Sequence, residues 1–315
     1  MKCIADTYCC ISLKIKLKLT KQGGFRDFIQ LIKPSLSIMV VFSSVICYLL
    51  VPGVLYEWWR IALLFAGGLL VTGSANTINM VVERDTDAQM KRTAKRPVAA
   101  GRITPEQGWG FAVLTGAMGV LILGYFFNWW AAGIAFFSLF LYAFVYTPLK
   151  KVNSIAVLMG AVPGALPCFI GWVAGFVQGQ QIEWQGGLIL FGIQFLWQFP
   201  HFWAIAWIAH NDYSRVGFKL LPSEKGPTKF TALQTIIYSL LLLPVSLAPF
   251  FTGMTTITGA AGLIGFVFVI LANIFMIMRS VVLYQKMDVS SARKVMFGSY
   301  IYLVVVLLAL LLAKA

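Results

Sequence analysis

Residues 61–87 read IALLFAGGLLVTGSANTINMVVERDTD. The run 61–81 is long enough, at about 1.5 Å per helical residue, to cross a hydrocarbon core of about 30 Å. Lipid offers the backbone no other partner, so the run reads as a helix. Its far end carries Asn76, Asn79, Glu83, Asp85 and Asp87. At about 100° per residue, Asn79, Glu83 and Asp87 fall within about 80° of one another, with Asn76 among them and Asp85 pointing elsewhere. A polar stripe that begins inside a membrane is costly and faces a cavity or a partner.

Eight more apolar runs lie near 36–52, 108–126, 129–147, 154–176, 187–208, 232–250, 257–278 and 296–313. Across the 315 residues 59% are hydrophobic and 11% charged, too few charges for a soluble domain of this length. The sequence therefore predicts an all-α polytopic membrane protein, a bundle of nine transmembrane helices around a central cavity. A basic segment 1–33, ending at the Lys33-Pro34 break, precedes one transmembrane domain over 34–315. The segment lacks a small-residue cleavage site and reads as retained. Its stretch Leu13–Leu19 alternates Leu or Ile with Lys, as a surface-lying strip or a disordered tail does. Cys3, Cys9, Cys10, Cys47 and Cys168 have no metal-ligand spacing.

The net charge of +14 does not mark a nucleic-acid binder, because the cations sit in short connectors. With the N-terminus in the cytoplasm, all 25 Lys and Arg residues except Arg60 and Lys314 fall on the cytoplasmic side. Trp58, Trp59, Trp129, Trp130 and Trp184 cluster at the opposite ends, as interfacial anchors do. The expected location is a bacterial-type inner membrane, with the C-terminus outside.

Hard oxygen donors spread over two helical turns suit Mg²⁺, which keeps waters and takes phosphate oxygens as co-ligands. Lys91, Arg92, Lys95 and Arg96 follow at once. Carboxylates with a cation and an Arg/Lys clamp bind a diphosphate and stabilise it as a leaving group. A second polar stripe, Gln194, Gln198 and His201, lies on the sixth run beside Pro200, where a kink is expected. His201 reads equally as an interhelical hydrogen bonder or as part of a substrate pocket. Asp212, Arg215 and Lys219 follow as a second acid-and-base set. Tyr142 and Tyr146 share a face and either line a pocket able to stabilise a carbocation or pack as interfacial rings. The run 160–167, GAVPGALP, is expected to break the fifth helix.

Three stretches carry a resemblance: Asn79–Pro97, Tyr146–Lys150, and Trp197–Phe202 continuing to Asp212-Tyr213 and Leu221-Pro222. Over roughly residues 25–310 the chain resembles the intramembrane aromatic prenyltransferase superfamily typified by the ubiquinone-pathway enzyme. The third stretch resembles its haem-farnesylating branch. The resemblance implies farnesyl diphosphate and haem b as substrates, and Mg²⁺ held by Asn79, Glu83 and Asp87, with Asp212 completing the metal site. It implies Lys91, Arg92, Arg96, Lys150, Arg215 and Lys219 on phosphate oxygens, and Asn76, Tyr146, Gln198 and His201 on the substrates. Glu83 stands where many members have Asp. Prenylation of a quinone precursor is the alternative within the superfamily. A transporter is the alternative outside it, and the dense motif of CDP-alcohol phosphotransferases is absent.

Overall fold

The computed structural model describes residues 23–315 apart from Leu55 and Glu224, so Leu13–Leu19 and Cys3, Cys9 and Cys10 lie outside the described residues. Among the described residues every regular element is helical. In chain order they are α1 (Phe25–Leu31), α2 (Pro34–Leu49), α3 (Trp58–Val82), α4 (Arg84–Gln89), α5 (Pro105–Phe126) and α6 (Trp129–Phe140). Then come α7 (Ala156–Ala174), α8 (Trp184–Ile208), α9 (His210–Arg215), α10 (Lys229–Phe251), α11 (Gly259–Lys286) and α12 (Val289–Leu312). Eight are long and apolar enough to cross a membrane, α6 counted with its extension to Leu149. The shorter α2 makes a ninth crossing when joined to α1, from which it is bent by 50°. The nine spans fall on the nine apolar runs. The last part of the basic N-terminal segment forms α1, tied down by the ion pair from Arg102 Nε to Asp27 Oδ1 at 2.7 Å.

Spans consecutive in the chain pack side by side, while α2 also contacts α7 and α12, and α8 also contacts α12. Lipid tails give apolar side chains little reason to associate, so close approach depends on small residues. Gly119 of α5 lies against α3, where a Cβ would come within 2.8 Å of the Gly67 carbonyl oxygen. Gly171 of α7 lies against α2, where a Cβ would collide with the Ser44 carbonyl. Buried polar groups add specific links. Asn128 donates to the carbonyls of Val173 (2.8 Å) and Phe176 (3.0 Å) and caps α6 at Ala131 N (2.8 Å).

One local expectation is corrected. The 160–167 run does not break its helix, because α7 continues through Pro163 and Pro167. Pro167 leaves the Pro163 carbonyl without its helical donor, and Ser138 Oγ of α6 donates to it at 3.1 Å instead. Likewise α8 runs unbroken through Pro200. The irregularity lies in the fourth span, where α6 widens into a π-helix over Leu141–Tyr146 before the turn Thr147–Leu149.

We expect Gly171→Ala to lower stability by about 1–3 kcal/mol, because backbone rather than a side-chain tip must move. Gly133→Ala, where nothing lies within 4 Å, should be neutral or slightly stabilising. Thermal unfolding of the two variants in detergent checks the pair.

Candidate active site

α3 ends at Glu83, whose backbone (φ −91°, ψ 8°) leaves the helix before α4 begins. The break does not scatter the acid stripe, because Asp87 N still bonds to Glu83 O at 2.7 Å. Asn79, Glu83 and Asp87 are all buried, while Asp85 is exposed and meets Arg84 at 3.3 Å. The helical projection thus separates the acids correctly even across the break.

Each buried carboxylate has a cation. Lys150 Nζ donates to Asn79 Oδ1 (2.8 Å) and to Glu83 Oε1 (2.9 Å), and Asn79 Nδ2 donates to Glu83 Oε2 (2.7 Å). Arg96 Nη1 donates to both oxygens of Asp87, at 2.8 and 2.7 Å. Burial raises the Asp87 carboxyl above its ordinary value, and the charge and hydrogen bonds of Arg96 oppose that rise. Lys150 lies 4.4 Å from the centroid of the Tyr146 ring and 6.0 Å from that of Phe218. Tyr146 in turn packs on Gly160, where a Cβ would come within 2.6 Å of the ring. The Tyr142 and Tyr146 centroids are 5.1 Å apart.

The segments after the second, fourth and sixth spans meet at this cluster. Arg92 Nη2 donates to Tyr213 OH at 3.0 Å, and Lys219 N donates to Lys150 O at 2.9 Å. Lys91, Arg215 and Lys219 are exposed. Toward the membrane interior, Asn76 and Tyr142 help line a cavity of about 100 Å³ that continues past Val71 and Gly68 to Leu64, Leu123 and Ile170. Asn76 also works structurally, its Nδ2 donating to Ile32 O (3.3 Å) and Ser37 Oγ (3.1 Å) at the α1–α2 bend.

Some expected residues take no part in these ion pairs. Asp212 makes no ion pair among the described residues, and no three His, Cys, Asp or Glu side chains there converge on one metal position. The chain leaves the helical path at Ala209 (φ −96°, ψ 14°), and Asp212 lies in the short helix α9 that follows. Gln198 Nε2 bonds to the carbonyls of Ala161 (2.9 Å) and Gln194 (3.1 Å), with its oxygen against Gly164. His201 is buried between Trp197 (centroids 4.8 Å) and Tyr300 (4.6 Å), with Nδ1 2.8 Å from Ser299 Oγ. Of the two readings of His201, the interhelical hydrogen bonder is the one observed. Sequence reading missed Lys33, whose backbone is left-handed (φ 47°) and whose ammonium lies within electrostatic reach of Arg96, Lys150, Glu83 and Asp87. Its only signal was the Lys33-Pro34 break.

The donor set suits a hard divalent cation. Asn79, Glu83 and Asp87 offer amide and carboxylate oxygens on successive turns, and the present cation partners mark where positive charge is stable. Nine spans among the described residues, with such a cluster at the end of an apolar cavity, are the arrangement of an enzyme embedded in a membrane. Residues 40–313 match the model of the UbiA prenyltransferase family, and the chain belongs to that family.

It is 41% identical over 295 residues to the protoheme IX farnesyltransferase of Cytophaga hutchinsonii, covering 92% of this chain and 98% of that one. The enzyme of the same name from Flavobacterium johnsoniae is 40% identical, covering 91% and 94%. Among solved structures, a digeranylgeranylglyceryl phosphate synthase has the same fold at a TM-score of 0.73 and 20% identity, covering 91% of this chain and 97% of that one. A UbiA homolog from Archaeoglobus fulgidus, bound to GPP and Mg²⁺, aligns at a TM-score of 0.61 and 13% identity, covering 90% and 99%.

Lys150→Met leaves the buried Glu83 carboxylate without its cation and should cost about 3–5 kcal/mol. Lys150→Met with Glu83→Gln should regain most of that stability, and both variants should be inactive. Denaturant unfolding in micelles, run beside an activity assay, separates the two effects.

Proposed function

We propose that the chain transfers the farnesyl group of farnesyl diphosphate to a vinyl group of haem b, giving haem O. One observation carries the reading. Lys150 and Arg96 hold Asn79, Glu83 and Asp87 together one turn beyond the apolar cavity that Asn76 and Tyr142 help line. A diphosphate head and a polyisoprenoid tail need those two environments end to end. The acceptor follows from the relatives that carry the farnesyltransferase name at about 40% identity over nearly the whole chain.

In this reading Asn79, Glu83 and Asp87 hold Mg²⁺, which supplies positive charge to the departing diphosphate. Lys150 and Arg96 exchange their carboxylates for phosphate oxygens, with Lys33, Lys91 and Arg92 adding charge around them. The C1–O bond breaks and its electron pair leaves with the diphosphate. The rings of Tyr142 and Tyr146 face the allylic cation that results. The haem vinyl π-bond attacks C1, water adds to the new cation, and a proton is released. The α3–α7 walls exclude bulk water from the cavity, so the vinyl group competes for the cation. The distribution of Lys and Arg supports a cytoplasmic site and N-terminus in a bacterial-type plasma membrane, the C-terminus lying outside.

Membranes or purified enzyme given haem b, farnesyl diphosphate and Mg²⁺ should yield haem O by mass spectrometry. Asp87→Ala should lower turnover at least about 10²-fold, the scale of losing one preorganised electrostatic group. A prenylated quinone precursor, with no modified haem, would replace this acceptor by the alternative one. Wild-type-like turnover by Asp87→Ala would remove Asp87 from the chemistry.

A further inference from the structure

Beside the acid cluster lies a second cavity, of about 440 Å³, walled by residues 152–154 after the fourth span and by residues of α8, α9 and the following loop to Ser223. Among the described residues no Asp or Glu lines it. Its polar wall includes Asn153, Ser154, His210, Lys219 and Ser223, and its apolar wall includes Val152, Phe218 and Leu221. Hydrogen-bond donors and a cation facing an apolar wall suit an anionic group on a flat apolar body. The loop is shaped to keep His210 in place. Gly226 has left-handed backbone (φ 84°), and a Cβ there would come within 2.6 Å of His210 Nε2.

The cavity shares a wall with the reaction centre but none of its acids. Tyr213 lines it and accepts from Arg92, while Phe218 lines it and faces Lys150. Its described lining offers no carboxylate to a divalent cation, unlike the cluster of Glu83 and Asp87. A carboxylate-bearing acceptor fits better. Haem b carries two carboxylates on one edge of an otherwise apolar ring.

We infer that this cavity binds the carboxylate-bearing edge of the acceptor, with Lys219 and His210 as its anion donors and Phe218 against the ring. The inference rests on haem b as the acceptor. It moves acceptor recognition from His201, inside the bundle, to the loop after α8. It also gives Lys219 a carboxylate rather than a phosphate partner.

The test compares haem b with its dimethyl ester on the wild type, Lys219→Gln and Ser154→Leu, the last placing bulk in the cavity. Esterification should raise the wild-type KM about 10-fold, the scale of a lost charge-assisted hydrogen bond. Lys219→Gln should raise the KM for haem b by a similar factor and that for the ester hardly at all. Its KM for farnesyl diphosphate should stay within about 2-fold, and Ser154→Leu should weaken haem b binding in a Soret titration without turnover. Equal effects of Lys219→Gln on acid and ester overturn the inference. So does a shift confined to farnesyl diphosphate, which would make the cavity a phosphate path. A wild type that farnesylates neither haem instead overturns the acceptor reading itself, and the Soret titration then decides the cavity separately: tighter binding of the acid than of the ester, lost in Ser154→Leu, sustains it.

Discussion

The ammonium of Lys150 between Asn79 and Glu83 is the contact on which the arrangement depends. A buried carboxylate at the end of a membrane span carries a desolvation penalty of several kcal/mol unless a cation and hydrogen bonds meet it. Glu83 receives both, one from Asn79 a turn earlier and one from a residue far along the chain. The fourth span must therefore end beside the second. The π-helix over Leu141–Tyr146 and the turn Thr147–Leu149 shape that end, and Gly160 lets the Tyr146 ring lie against α7 beneath the ammonium.

The same economy explains why the cluster is stable before substrate arrives. Asp87 has Arg96 and Glu83 has Lys150, so both acids are compensated within the protein. A diphosphate entering with its metal brings both signs of charge. On the proposed function the acids would exchange an organic cation for a metal, and the cations would exchange carboxylate for phosphate. No charge need be left uncovered in a low-dielectric site at any point of such an exchange, which keeps its cost low.

Much of this was legible in the sequence because it is periodic. Nine apolar runs gave nine spans, and a 100° step put Asn79, Glu83 and Asp87 together and Asp85 outside. What escaped was set by neighbours. The Pro residues of α7 were read as a break, but a packed bundle supplies donors such as Ser138 from another helix. Gln198 and His201 left two readings open, because intramembrane polarity marks need without naming the partner. The partners are Ala161, Gln194 and Ser299. Asp212 follows the family pattern on α9, beyond the turn at Ala209, and makes no ion pair among the described residues. Lys33 was invisible because nothing local announces a charge delivered by a bend between α1 and α2.

These misses share a cause that bears on how the fold distributes its tasks. The groups proposed to act on the leaving diphosphate are spaced along α3 and α4, so a single helix repeat encodes them. The cations that neutralise them come from Lys150 and Arg96, and Lys33 stands near, each delivered by a loop or bend that only tertiary packing places. Loops can change length and composition without disturbing the bundle. One prenyl-transferring core can therefore keep its acid stripe and cavity while the loops after the fourth and sixth spans change the acceptor. On that logic acceptor choice belongs to segments such as 152–154 and 210–223, where polar side chains surround a cavity beside Lys150 without entering its ion pair.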